Sequence, residues 1–455
     1  MLLPMALQFN EHPEKMVSVE NAINMQPEFS NGGRTQVILR STPGRESFSV
    51  IDADAARCRG FAYVGDVLYT VMGKSLYAVT SDGLSREIGR IDGTGVVALS
   101  ASGEELYIST GVSNYNYVIA TDTLAGVTTA PIGFTNTFLN GRFVTEDPTA
   151  TGPTAGRFYW SDLLDATAWN ALDYSNAEQK PDRTNRVEAY GNVLIVAGSE
   201  TIEYWRGDAA GFLPITGTTQ PIGLAGRYAM GQIDNQVCFL ASDGSVRTMN
   251  GYQTIPISTP AVEAALNADP NTECITYREQ GHTIFEFSTS SITLCYDAAQ
   301  SKLLGRNVWF EKRDNEGRNN ISASIFAFGK NLVGSISDGT IYELTRSAYP
   351  DAREFTLPSI ADDQSLRWNK LDRIELICRT GTGAIPDEQP KMMLRVSRDN
   401  GYTYGEERWA DMGTIGHYAT RVKWRRFGRF LNMNLNFRLT DQTELTVIGV
   451  NANGG

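Results

Sequence analysis

Two stretches in the last quarter of the chain have residue types and spacings that could do chemistry. Ser397-Arg398-Asp399-Asn400-Gly401-Tyr402-Thr403-Tyr404 fits the Asp-box spacing S-x-D-x-G-x-T followed by an aromatic. In such a box a carboxylate and a hydroxyl satisfy the backbone of a hairpin turn. Ser397, Asp399, Gly401 and Thr403 are therefore read as a structural turn. Further on, Arg421, Lys423, Arg425, Arg426 and Arg429 are interleaved with Trp424, Phe427 and Phe430. Cations among aromatics can grip nucleic acid. The same pattern also fits a half-buried strand whose cations reach out to water, or a salt-bridging interface with another protein.

A third group is acidic. Between Arg157 and Asp182 the chain reads RFYWSDLLDATAWNALDYSNAEQKPD, with Asp162, Asp165, Asp173, Glu178 and Asp182. Paired carboxylates can serve acid–base chemistry or hold a metal, but no histidine accompanies these and no ligand spacing repeats. A long loop packed by Trp169 and Tyr174 is the expectation. The three histidines, His12, His282 and His417, lie far apart in sequence, which argues against a Ser-His-Asp arrangement. The five cysteines, Cys58, Cys238, Cys274, Cys295 and Cys378, form no CxxC pair. That argues against a disulfide framework or a zinc site and suits a reducing compartment. No metal, cofactor or catalytic residue is predicted.

The elements that must position these groups come from a repeated grammar. VEAYGNVLIVAGSETIEYW, residues 187–205, is two β-prone runs punctuated by Gly and Asn. Its turn has counterparts at Gly65, Gly103, Gly141, Asn235, Gly281 and Gly329. The resulting period of roughly 38–50 residues with several short strands per unit is the signature of a β-propeller. About seven blades are expected, against an ordinary β-sandwich as the plainer alternative. Ser-Asp-Gly at 81–83, 242–244 and 337–339 reads as tight turns, since no calcium-loop ligand spacing follows. Thr259 before Pro260 starts the one clear helix, through Leu266.

The fold class is thus all-β, in four parts. Residues 1–45 form an extended arm whose Gln36–Leu39 strand closes the ring by pairing into the last blade. Residues 46–350 form the propeller, 351–364 a linker, and 365–455 a small sandwich-like domain of strands without helices. The formal charge of −12 is uneven: residues 365–455 hold 14 Lys/Arg against 10 Asp/Glu, and the rest 26 against 42. A strongly acidic majority is a poor tight binder of DNA and would suit a surface past which a polyanion slides. No stretch has the 18 or so apolar residues of a membrane span, and the short apolar start lacks a signal-peptide pattern.

Four stretches together resemble one family, the packaged-DNA stabilisation proteins, or tail hub (nozzle) proteins, of short-tailed bacteriophages. They are Leu39-Arg40-Ser41-Thr42-Pro43-Gly44; Phe158-Tyr159-Trp160-Ser161-Asp162 with Ala177-Glu178 and Pro181-Asp182; Ser199 to Trp205; and Ser397 to Gly401 with Val422 to Arg429. The resemblance implies a non-enzymatic virion protein, assembled in the host cytoplasm. Such a protein is expected to form a homo-oligomer, a hexameric tube below the portal and its head-to-tail adaptor ring. The tube would retain packaged DNA without reading its sequence, conduct it on ejection, and support the tail needle and the tailspikes or fibres. The competing expectation, suggested by the Asp box and the many aromatics, is a glycan-binding or glycosidase-like propeller of the sialidase type. On the virion-protein reading Arg421, Lys423, Arg425, Arg426 and Arg429 are expected at a partner interface, away from the DNA channel.

Overall fold

A computed structural model describes residues 2–5, 8–29, 36–51, 56–314, 317–361, 368–382 and 389–453. Seven four-stranded units follow one another around a ring, six as separate sheets and the sixth, starting at Glu273, as part of a larger sheet that continues into the carboxy-terminal part. Their first strands begin at Cys58, Ala98, Asn136, Thr184, Met230, Glu273 and Ile321, and number blades one to seven. Most of these first hairpins turn where two neighbouring residues both have positive φ, as at Asn140-Gly141 (54° and 75°) and Phe328-Gly329 (55° and 75°). That backbone matches the right-handed twist of the flanking strands, which is why the Gly/Asn punctuation marks the blades. The expected helix is present as α1, Pro260–Leu266, capped by Thr259. A second, α2, Ala298–Leu304, is capped by Asp297 and lies in blade six, where no helix was expected.

The amino-terminal region differs from its expectation. It supplies β1 (Val19–Ile23), β2 (Met25–Phe29), β3 (Val37–Ser41) and β4 (Gly44–Val50). The ring is closed by β4, which pairs with Thr340–Thr345 of blade seven, and not by the Gln36–Leu39 run. The apolar run lies in β3, between β2 and the carboxy-terminal strand, where Leu39 is fully buried. Closure thus uses the more polar sequence, GRESFSV, because the outermost strand of a blade has one face in water. Gly44 is required there, since a Cβ would sit 2.5 Å from the backbone of Ala348. Asn31, Gly32 and Gly33 of the expected arm lie outside the described residues.

The carboxy-terminal part adds β5 (Arg353–Thr356), β6 (Asn369–Cys378), β7 (Lys391–Ser397), β8 (Arg408–Asp411), β9 (Val422–Phe430), β10 (Asn432–Leu439) and β11 (Thr446–Asn453). One sheet runs β9-β6-β11-β3-β2 and the other β1-β5-β10-β7-β8. Between them lie Leu39, Phe355, Ile374, Leu394, Trp424, Phe437 and Val447. The expected linker therefore begins as a sandwich strand, β5, whose Phe355 is buried; of that segment, residues 362–364 lie outside the described residues. The sandwich is built from both ends of the chain.

It is also continuous with the propeller. β1 pairs in parallel with the last strand of blade six at Ile23 and Glu311, and antiparallel with β5. Arg346 of blade seven pairs with Glu279 of blade six and donates to the Ser41 carbonyl at 2.9 Å. Buried Arg353 donates to the carbonyls of Pro350 and Asp441. His282 of blade six is held 2.5 Å from Asp297 and 3.8 Å from Glu28 of β2. Burial alone would lower the histidine pKa, but the hydrogen bond to Asp297 and the nearby Glu28 carboxylate outweigh it and lift the value to about 9.

Candidate functional site

The Asp box forms the turn between β7 and β8. Asp399 accepts from the Thr403 amide at 2.9 Å and from the Thr403 hydroxyl at 2.5 Å, and the Ser397 hydroxyl lies 2.7 Å from it. Ser397 in turn accepts from the Gly401 amide at 2.9 Å. These bonds stabilise the carboxylate and hold its pKa down at about 2. Gly401 has φ +82° and a Cβ there would meet Val19 of β1 at 2.7 Å, so only glycine fits. With its oxygens committed to the turn, Asp399 has no free role as an acid or base.

The basic stretch is β9, the edge strand of its sheet. Val422, Trp424, Phe427 and Phe430 point into the core, while Lys423, Arg425, Arg426 and Arg429 are exposed. A bulge makes this possible: Arg426 and Phe427 stand opposite the single residue Asp372, and Arg426 has φ +67°. The extra residue lets two consecutive arginines face outward before the alternation resumes. Arg421 is committed, its guanidinium gripping both oxygens of Glu375 at 2.5 and 2.6 Å. The other four form no ion pair among the described residues, and their unneutralised charge guards an open sheet edge.

Beside β9 lies a groove of about 600 Å3 lined by the apolar Val396 and Phe427, by Arg398, Arg408 and Arg426, and by the carboxylates Asp399 and Glu406, the first of them spent on the Asp-box turn. Arg408 stacks over the Phe427 ring at 4.5 Å and donates to the Arg425 carbonyl, and Arg398 donates to the Phe427 carbonyl. The guanidinium groups are thus fixed by backbone, not by carboxylates. Trp409 of β8 is more than half exposed.

The acidic residues of the blade-three excursion do not converge. Asp165 caps its own loop through Thr167 and Ala168, and Asp162 is exposed. Asp182 is buried and accepts from the amides of Glu200 and Thr201 and from the Thr201 hydroxyl. Glu146 does similar work for the Phe134 and Thr135 amides; burial is the chief cause of its raised pKa. Trp169 is buried against Tyr107, ring centres 5.2 Å apart, whereas Tyr174 stays on the surface under Arg157. Among the described residues no group of three or more His, Cys, Asp or Glu side chains could hold a metal. All five cysteines are free thiols.

The propeller's own axis is narrow. First strands of neighbouring blades are bonded directly: Val97 N–H to Arg59 O at 2.9 Å, Asn136 Nδ2 to Ala98 O at 3.0 Å and Val187 N–H to Thr135 Oγ1 at 3.1 Å. Thr276 Oγ1 donates to Gln232 O at 3.1 Å, Ser324 Oγ to Thr276 O at 2.8 Å and Ser322 Oγ to Cys58 O at 2.6 Å. The central cavity, near Arg186, Glu188, Tyr228 and Met230, is about 280 Å3. A duplex whose major groove alone is about 12 Å wide cannot pass between strands joined this closely.

Two family models match the chain. One, described as bacteriophage P22 Gp10, beta-propeller, matches residues 18–349, and the other, bacteriophage P22 Gp10, beta-sandwich, matches residues 353–455. Comparison with curated proteins gives no match. Among solved structures, the computationally designed Ika8 protein is 11% identical over 66% of this chain and all of that one, with a TM-score of 0.41. The extracellular domain of the putative hybrid two component system BT4673 from B. thetaiotaomicron is also 11% identical, over 83% of this chain and 49% of that one, with a TM-score of 0.46. Hsv2 from Kluyvelomyces marxianus is 10% identical over 63% and 95%, with a TM-score of 0.36. Matched along both of its domains, the chain belongs to the bacteriophage P22 Gp10 family and is a structural protein of the phage tail.

Proposed function

We propose that copies of this chain assemble as a ring or tube in the virion tail, six being the expected number, below the portal and adaptor. The tube retains packaged DNA, conducts it on ejection, and supports the needle and the spikes or fibres. The observation that carries this reading, beyond family membership, is the stitched propeller axis. Because no duplex fits through a single subunit, a conduit requires several copies with the channel between them. The acidic majority of the chain then faces the DNA and repels it, within the 8–10 Å that screening allows in physiological salt. Arg421, Lys423, Arg425, Arg426 and Arg429 face protein instead. Native mass measurement and low-resolution imaging test this: a six-fold ring with an open channel is expected, and a persistent monomer in virion-derived and recombinant material alike would overturn it. The glycosidase reading gains nothing from the Asp box, whose carboxylate is spent on its turn. No hydrolysis of sialosides or common glycosides is expected, and turnover abolished by substituting Asp165 or Glu178 would reverse that conclusion.

A further inference from the structure

Blade three carries an exposed apolar patch that its own subunit does not cover. The loop between Trp160 and Tyr174 leaves Leu163, Leu164 and Leu172 exposed by 62%, 63% and 80%. The loop is firmly built: Trp169 is buried beneath it, Asp162 N–H donates to Ala168 O at 2.8 Å, and Ala166 N–H donates to Glu105 of blade two at 2.9 Å. Its leucines are therefore held outward, and three large apolar side chains exposed on one firmly built loop suit an interaction surface. Its charge is one-sided. Residues 161–173 hold three aspartates and no Lys or Arg, and residues 98–176 hold 8 Asp/Glu against 2 Lys/Arg.

The complementary surface is at the other end of the molecule. The sandwich joins the ring at blades six and seven, and blade three is three blades from each, the farthest position in a ring of seven. Within the sandwich, β2 lies toward the propeller, its Phe29 amide donating to Gln300 of α2 at 2.8 Å. β8 and β9 are the strands farthest from blade six in their sheets. That far edge holds the four unpaired cations of β9 and the groove lined by Val396 and Phe427. One end thus offers leucines among aspartates, and the other an apolar groove whose three arginines outnumber its two carboxylates, beside the exposed cations of β9.

We propose that the blade-three loop of one copy seats its leucines in the β8–β9 groove of the next, with Asp162 and Asp173 against Arg398, Arg408 and Arg426. Two different surfaces meet, so the contact is head to tail, and repeating it produces a closed ring when the rotation allows. This rests on the ring reading above and names the faces that hold the ring together.

The test uses two full-length variants. The loop variant carries Leu163→Glu and Leu172→Glu, and the edge variant Arg425→Glu and Arg426→Glu. All four side chains are exposed, so both variants should keep the wild-type melting temperature; Ser at the leucines and Gln at the arginines serve if either does not. By sedimentation or light scattering, wild-type chain should assemble and each variant alone should remain a single chain. An equimolar mixture should form a one-to-one dimer and nothing larger, because one intact loop meets one intact edge. A mixture that stays monomeric while the wild type forms rings overturns this contact and leaves the ring standing. Variants that assemble like wild type do the same. A wild-type chain that never self-associates removes the ring itself.

Discussion

The propeller and the sandwich are both all-β, yet their strands find partners in opposite ways. In blades one to six each strand pairs with the next in sequence, so every unit is a run of hairpins set by its own turns. In the sandwich, β3 pairs with β11 across about 400 residues, and β1 stands between blade six and β5. Local pairing makes the blades repeat, and their buried charges, such as Arg59, Glu146 and Asp182, serve turns and loops of the blade region itself. The non-local assembly sets Arg353, His282 and Glu311 at the seam where propeller meets sandwich. The difference teaches where this molecule can be disturbed: within a blade, damage stays local, whereas at the seam it reaches both domains.

Removing the amino-terminal strands is the largest test of that contrast. A chain starting at Gly44 loses β1, β2 and β3 but keeps the closing strand, so calorimetry should show the propeller transition without a cooperative sandwich transition. A chain starting after Ile51 should lose both, because blade seven is left open at its edge. Unchanged melting of the first truncation would break the comparison.

The two buried arginines sharpen it. Arg59 donates to the carbonyls of Gly95, Gly73 and Asp92 at 2.7–3.0 Å within blade one and its exit loop, and Arg353 holds Pro350 and Asp441 at the seam. Desolvation pulls both guanidinium pKa values down to about 10. Replacing either by Leu strands buried carbonyls at ~1–3 kcal/mol each, so a loss of about 3 kcal/mol or more is expected from each. Chemical denaturation followed by domain-specific fluorescence should show Arg353→Leu weakening both domains and Arg59→Leu the propeller alone.

His282→Asn should give a smaller, pH-dependent loss. The folded pKa, about 9, lies above the ordinary 6.5, so its stabilisation is complete below about pH 6.5 and fades as pH rises through 9. A shift of that size corresponds to about 3 kcal/mol at most. The melting temperatures of wild type and variant should converge between pH 7 and 10; a constant gap would show that the imidazole acts only by packing. Smallest is Gly401→Ala, where positive φ and the close approach of Val19 should cost about 1–2 kcal/mol, read as a drop in the sandwich transition alone.

The blades were legible because their turns are chemical: Gly, Asn and Asp accept positive φ, and those letters recur at the blade spacing. The Asp box was legible for the same reason, each of its four residues having a fixed partner within the turn. The closing strand was not, because an apolar run such as Val37-Ile38-Leu39 declares that it will be buried without saying against what. β5 was hidden by Pro350 and Pro358, which do punctuate a linker but here only bracket a short strand. The outward pair Arg425 and Arg426 depends on a bulge, and a bulge has no letter of its own. Leu163, Leu164 and Leu172 give no sign in the sequence that they stay outside, since only the fold shows that Trp169 fills the space beneath them.

Because β3 belongs with β11, the ribosome makes one of these partners long before the other. At about 5–20 residues per second, roughly 400 intervening residues keep β3 waiting on the order of 20–80 s. All seven blades, the edge closed by β4 included, can fold in that interval. Throughout it, the nascent chain carries Val37-Ile38-Leu39 and an unmatched β1 at its leading end. High expression therefore endangers this protein less through its large ring than through the first forty residues, which can pair with those of a neighbouring polysome. Lower expression, or a chaperone that shields that end, should raise the yield of assembled tails more than any stabilisation of the blades.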